Sequence, residues 1–267
     1  MKKVFWKLVV TLFVAGICTS CNNRLQTANE TKLPLEKKNE IEKSLLNISV
    51  DTSFTDFFEM FMWDMDFQKS RIVFPLNKDG KTIQTSKDWY HLSFYTASDY
   101  MPILCSDTLT LYDKVVNTSN IELSIIDFEK EMADKYCFEK INNKWFLLSS
   151  ESVSINEIAD FEFIDFLSKF SEDSVFQNNH ILFPLPVSVI DYDDEDYKII
   201  IQTILSDEWQ QLQWTVINQL MVLSDIDSDN RYRNIYFRGV ENGIWVKYTF
   251  EKINRFWKMI RLEDYSM

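Results

Sequence analysis

Glycine is nearly missing from this chain. Four occur in 267 residues (Gly16, Gly80, Gly239 and Gly243), and none falls in a phosphate-cradling loop or a nucleophile elbow. Histidine is as scarce, with only His91 and His180, and no C-x-x-C occurs beyond Cys18-Thr19-Ser20-Cys21. A zinc site therefore lacks ligands, and no metal or other cofactor is expected. Positive charge is short too: 28 Lys plus Arg face 41 Asp plus Glu, a net charge of −13. Such a chain lacks the basic surface that phosphates require, which excludes nucleic acid as a partner. What is plentiful is apolar and aromatic side chain, 46% and 15%, ample for packed cores and unlike a disordered acidic tail.

The N-terminus reads as an export signal. Lys2, Lys3 and Lys7 precede an apolar run from Leu8 to Ile17, and Cys18-Thr19-Ser20-Cys21 closes it. The run is well short of the roughly 20 residues of a membrane-spanning helix. The Thr-Ser-Cys ending resembles the lipobox of bacterial lipoproteins, although Cys18 stands where that box usually carries Leu. The resemblance implies lipid attachment at Cys21, with residues 1–20 removed. Ile17 is too bulky to precede the cleaved bond, which disfavours Cys18. Asn22 is not the Asp typical of inner-membrane retention, so the expected location is the outer membrane of the cell envelope, lipid-anchored and on either face. An ordinary secreted protein cut nearby is the alternative. Removing three signal lysines leaves 25 basic residues against 41 acids, a net charge near −16. Residues 21–50 mix Lys and Glu with few apolar positions and read as a flexible tether.

Beyond the tether the chain states one pattern twice. FTDFFEMFMWDMDFQKSRIVFPL (Phe54 to Leu76) returns as FIDFLSKFSEDSVFQNNHILFPL (Phe163 to Leu185), ungapped, with 11 of 23 positions identical. YCFEKINNKW (Tyr136 to Trp145) returns as YTFEKINRFW (Tyr248 to Trp257), with 7 of 10 identical. Two anchors in one order imply a tandem duplication, with repeats over 51–150 and 157–264.

Each repeat opens with a helix. Phe54, Phe57, Phe58 and Phe61 form an i, i+3, i+4, i+7 stripe that Phe163, Phe166, Leu167 and Phe170 repeat, and this spacing means core. Asp51 or Ser53 can cap the first helix and Asp160 the second. Ile72 to Leu76 and Ile181 to Leu185 read as short strands with proline at an edge or end. From Leu to the next Trp is 13 residues in one repeat (Leu76 to Trp89) and 24 in the other (Leu185 to Trp209), which places the acidic DYDDED insertion (Asp191 to Asp196) on a loop. An antiparallel meander follows, with turns at Asn142-Asn143, Glu241-Asn242-Gly243 and Ile253-Asn254-Arg255. Helix first and sheet last is an α+β plan.

The helical start and the F-E-K-x-N-x-x-W ending resemble the nuclear transport factor 2-like, cystatin-like cone, in tandem. The F-x-D-F opening, Phe-Gln and Ile-x-Phe-Pro-Leu resemble a family of Bacteroidetes lipoprotein domains of unknown function. The resemblance implies a curved sheet wrapped around helices with a pocket at its wide end. In cone-fold enzymes of the isomerase and dehydratase kind that pocket holds Asp, His or Tyr.

The candidate pocket residues are those kept in both copies: Trp89 and Trp209, Tyr136 and Tyr248, Trp145 and Trp257, Asp56 and Asp165. Aromatic rings can stack a small apolar or glycan ligand, or can simply fill the core. An Asp beside a Tyr in such a pocket could transfer protons, but solvent-facing Asp64 and Asp173 and backbone-bonding Gln68 and Gln177 are the plainer reading. No catalytic histidine is shared, since Gln211 matches His91 and Arg71 matches His180. Asp225, Asp227 and Asp229 lack the glycine and glutamate of a calcium loop. A Cys105–Cys137 disulfide and two buried thiols both remain open. The expected function is binding or interaction, with a ligand or an envelope protein as partner and no catalysis; an isomerase- or dehydratase-like enzyme is the alternative. Internal pairing of the repeats implies a monomer.

Overall fold

The phenylalanine stripes fold as their spacing requires. Helix α1 (Phe54–Trp63) buries Phe54, Phe57, Phe58 and Phe61, each contributing roughly 1.5–3 kcal/mol of transfer free energy. Ser53 caps it, its hydroxyl accepting from the Asp56 N–H at 3.1 Å. Helix α2 (Met65–Ser70) starts at Asp64, whose carboxylate accepts from the N–H groups of Asp66 and Phe67. The second half repeats this arrangement: α3 (Phe161–Glu172) buries Phe163, Phe166, Leu167 and Phe170, and α4 (Ser174–Asn179) is capped by Asp173. Asp160 precedes α3 but makes no cap bond, because its carboxylate is committed to an arginine. In this computed structural model the described residues are 51–94, 100–106, 109, 118–192, 196–212, 219–225, 231–239 and 242–267. The export signal, Cys21 and the tether lie outside them.

Six strands follow each pair of helices. The first half supplies β1 (Leu76–Lys78), β2 (Lys81–Ile83), β3 (Tyr100–Ser106), β4 (Asn120–Asp127), β5 (Met132–Ile141) and β6 (Lys144–Ser154). The second supplies β7 (Leu185–Ile190), β8 (Ile199–Ile204), β9 (Gln219–Asp225), β10 (Tyr232–Gly239), β11 (Trp245–Ile253) and β12 (Phe256–Asp264). The strand expected over Ile72 to Leu76 is displaced toward the C-terminus, with only Leu76 of that segment in β1. Ile72 makes one bridge to Leu147, the Phe74–Pro75 peptide is cis, and the strand begins at Leu76; Ile181 and Phe183–Pro184 behave alike. Proline has no N–H to give a ladder, so pairing starts after it. Asn142 and Asn143 both take positive φ in the β5–β6 turn, and Asn254 and Arg255 do so in β11–β12. The described residues of the DYDDED insertion, Asp191, Tyr192 and Asp196, lie in the connection between β7 and β8, as expected of a loop, and the strands on either side of it are longer too. The β7–β8 hairpin has six residues in each strand where β1–β2 has three, so the added sequence lengthens a hairpin.

All twelve strands join one sheet in the order β2-β1-β6-β5-β4-β9-β3-β10-β11-β12-β7-β8. The middle of that order is crossed. β3 does not lie beside β4; it pairs antiparallel with β10, Leu104 opposite Ile235. β9 pairs antiparallel with β4, Leu223 opposite Leu123, and β3 and β9 run parallel against each other. Each half's third strand therefore completes the other half's sheet. Alternation along these strands then serves two cores. Ile103, Cys105, Met221 and Leu223 pack with α1, while Leu104, Leu220 and Val222 pack with α3. The two helical layers lie on opposite faces of the sheet.

The sheet order also settles the cysteines. Cys105 on β3 and Cys137 on β5 have β9 and β4 between them, three strand spacings or about 14 Å. A disulfide needs Cα atoms within about 7 Å, and neither cysteine is disulfide-bonded. Mass spectrometry after alkylation in denaturant should count two free thiols at these positions, and a reductant should leave the melting temperature unchanged.

Candidate functional site

The residues repeated between the halves are spent mostly on structure. Trp145 and Trp257 are buried beneath the helices, set edgewise to Phe54 and Phe163 with ring centroids 5.2 and 4.8 Å apart. Their indole N–H groups have no hydrogen-bond partner. Tyr136 packs against Phe94, and Tyr248 against Phe237. Burial, reinforced by the carboxylates of Asp134 and Asp79, pushes the Tyr136 phenol well above its ordinary pKa, so it stays protonated at neutral pH. Asp56 and Asp165 sit on the solvent side of α1 and α3, where Asp165 pairs with Lys169 at 2.6 Å. Paired Asp and Tyr do not form one titrating site: the acids are exposed and the tyrosines are in the cores.

Trp89 and Trp209 are held by a repeated amide clamp. Gln68 is fully buried; its Nε2 donates to the carbonyls of Phe61 (2.9 Å) and Leu92 (3.1 Å), and its Oε1 accepts from Trp89 Nε1 and the Leu92 N–H, both at 2.8 Å. Gln177 does the same with Phe170, Leu212 and Trp209 at 2.7 to 3.0 Å. Each amide thereby satisfies both donors and both lone pairs. The clamp ties a helix end to the segment beyond β2 or β8. Trp89 is buried, whereas Trp209 is half-buried.

Two buried ion pairs lie at matched acids with unmatched bases. Asp51 receives Arg71 Nη1 and Nη2 (3.1 and 2.7 Å) and the Trp145 N–H (3.0 Å). Asp160, the matching acid, receives Arg233 of β10 through Nε (2.7 Å) and Nη2, and the Ser224 hydroxyl of β9. These carboxylates anchor helix to sheet. Asp225 is likewise occupied, accepting from the Thr118 hydroxyl at 2.8 Å, while Asp227 and Asp229 lie outside the described residues. Among the described residues no group of three His, Cys, Asp or Glu side chains can hold a metal ion.

Open space lies elsewhere. A cleft of about 560 Å³ runs between one side of α3, the β4–β5 turn and β9. Ile164, Leu167 and Leu220 form its apolar floor, Phe128 and Phe161 flank it, and Ser168 and Asp165 stand at its mouth. Both halves contribute to it. Of the candidate pocket residues named from the sequence Asp165 alone lines it, joined by Leu167 from the helical stripe that was read as core. The missed signal was a difference rather than a likeness: Phe161 and Ile164 of α3 stand where the first half has Thr52, just before α1, and Thr55 within it, giving α3 an apolar side that α1 lacks. A smaller cleft of about 290 Å³ lies by α4, with Trp209 facing Asn178, Asn179, Gln211 and Ser206. It carries no charged side chain. In the first half Lys69 and His91 occupy the positions of Asn178 and Gln211.

Residues 35–264 match the family described as Domain of unknown function (DUF4348). The chain belongs to that family. A DUF4348 fold of this kind has a solved relative in an NTF2-like protein from Bacteroides fragilis NCTC 9343. The two share 25% identity and a TM-score of 0.54, over 82% of this chain and 98% of that one. The described fold is accordingly an NTF2-like, sheet-rich α+β arrangement. No curated protein matches this DUF4348 chain.

Proposed function

We propose that this protein is a lipid-anchored envelope protein that binds a ligand without transforming it, and that its two halves arose by duplication. Export and lipid attachment at Cys21, on the outer membrane, belong to the proposal and rest on the N-terminal residues alone. The duplication rests on the two sequence anchors and on the matched helices, caps and amide clamps. Binding rests on one observation above the rest: the cleft beside α3 has an apolar floor, and its one repeated acid, Asp165, is exposed and paired with Lys169. A carboxylate that works as a general acid or base is set in a buried, water-poor pocket, and Asp165 is exposed to solvent. The class of ligand that fits is a small molecule with an apolar body and a polar end, the body on Ile164 and Leu220 and the end toward Ser168 and Asp165.

Native mass spectrometry of the full chain purified from its own envelope tests this. The wild type should carry diacylglycerol on a chain beginning at Cys21 and retain a small-molecule mass. Ser168→Trp, an exposed position whose indole would fill the cleft, should lose the small molecule and keep the lipid. Retention undiminished by that substitution sinks the cleft as the site. Turnover of a substrate that Asp165→Asn abolishes would establish the enzyme instead.

A further inference from the structure

The two halves treat their clamped tryptophans differently. In the first half Trp89 is buried, and the ammonium of Lys78 on β1 lies 5.7 Å from its ring centroid. Val187 holds the matching place on β7, since Lys78 pairs with Ser150 of β6 as Val187 pairs with Leu262 of β12. The second half thus lacks the long side chain set over the ring, and Trp209 is half-buried and lines the cleft by α4. The rest of that cleft differs in the same sense. Val175, Asn178 and Gln211 stand where the first half has Asp66, Lys69 and His91, so no titratable side chain remains. Ser174 and Asn178, four residues apart, share one side of α4, while Ser206 and Gln211 come from the segment after β8. Among the described residues the exposed amides of Asn178 and Asn179 make no hydrogen bond. Gln211 Nε2 reaches only the carbonyls of Ser171 and Glu172, both at 3.4 Å. Trp209 is fixed before any ligand arrives: its Nε1 donates to Gln177 at 2.9 Å, which leaves the ring only carbon surface to present.

We propose that this cleft binds a neutral carbohydrate, one sugar unit of a glycan seated against Trp209. A pyranose has an apolar C–H face and a rim of hydroxyls that each donate and accept. The indole takes the face. The amides, each with two donors and an accepting oxygen, take the rim. At about 290 Å³ the cleft falls at the lower end of ligand sites, roughly 300–1,000 Å³, which suits a single sugar unit. Charge decides against the rivals. With no cation in the lining, on a chain of net charge −13, an acidic sugar finds no counter-charge. One ring without a carboxylate beside it is not a cage for an organic cation. The site shares no lining residue with the cleft beside α3, so it stands apart from the ligand proposed there.

Titration calorimetry tests this on the full chain carrying Cys21→Ser, which removes the lipid and the need for a sugar-headed detergent. The probes are maltotriose, cellotriose, mannotriose and N-acetylchitotriose, with trigalacturonic acid as the acidic counterpart. At least one neutral sugar should give saturable heat, and the acidic trimer none. Asn178→Lys combined with Gln211→His restores the first half's residues outside both cores. It should weaken sugar binding by about tenfold, as the loss of one or two net hydrogen bonds does, with the melting temperature unchanged. Ser168→Trp, which fills the other cleft, should leave sugar binding as it was. No saturable heat with any neutral sugar, equal binding of the acidic trimer, or binding undiminished in the double variant would each overturn the proposal. Loss of sugar binding in Ser168→Trp would also overturn it, by placing the sugar beside α3. Loss of the retained small molecule from that cleft alone bears only on the earlier reading.

Discussion

Replacing Gln68 or Gln177 with alanine is expected to lower stability by about 3–5 kcal/mol, from unfilled space and from buried groups left without partners at roughly 1–3 kcal/mol each. In Gln68→Ala the indole N–H of Trp89 and the N–H of Leu92 lose their acceptor, and the carbonyls of Phe61 and Leu92 lose their donor. Urea denaturation should show a reduced midpoint with little change of slope. Gln68→Glu should be nearly as damaging, since it keeps the acceptor and sets a carboxylate oxygen against two carbonyls. A loss below about 1 kcal/mol would mean that water replaces the amide and that the clamp is not what fixes Trp89. Equal losses at the two positions would indicate that both clamps belong to one cooperative unit.

Arg233→Met should be similarly costly, about 3–5 kcal/mol, because it strands the Asp160 carboxylate in a site that is 4% exposed. The informative comparison is with Asp160→Leu and with the double variant. Removing both charges should recover much of the loss, since neither desolvated group then lacks a counter-charge. Additive losses in the double variant would contradict the pairing. In the first half Arg71→Met should repeat the effect at Asp51, whose carboxylate also holds the Trp145 N–H.

These expectations show where local sequence speaks and where it falls silent. The helical stripes, the Ser53 cap and the asparagine turns at 142–143 are decided within a few residues, and each was legible. Asp51 and Asp160 were recognisable only as possible caps. Their arginines come from the end of α2 in one half and from β10 in the other, so no fixed spacing announces the pair. The matched tryptophans could not be divided between pocket and core by repetition, because a fold retains a core ring as firmly as a binding ring. The sheet order was further out of reach. β3 has the same alternation beside β10 that it would have beside β4, and nothing in Tyr100 to Ser106 names its partner. The cleft escaped for the opposite reason, being built where the halves differ.

The crossed strands impose an order of assembly on a chain made from its N-terminus. β4 emerges early, yet its outer neighbour β9 lies close to a hundred residues downstream, and β3 waits for β10. The first half cannot close its own sheet when it alone has been synthesised; it must hold an unfinished edge until most of the second half has arrived. Contacts so distant in sequence slow folding and leave intermediates exposed. Neither half is therefore a removable part: cutting between them takes from each the strand that the other supplied.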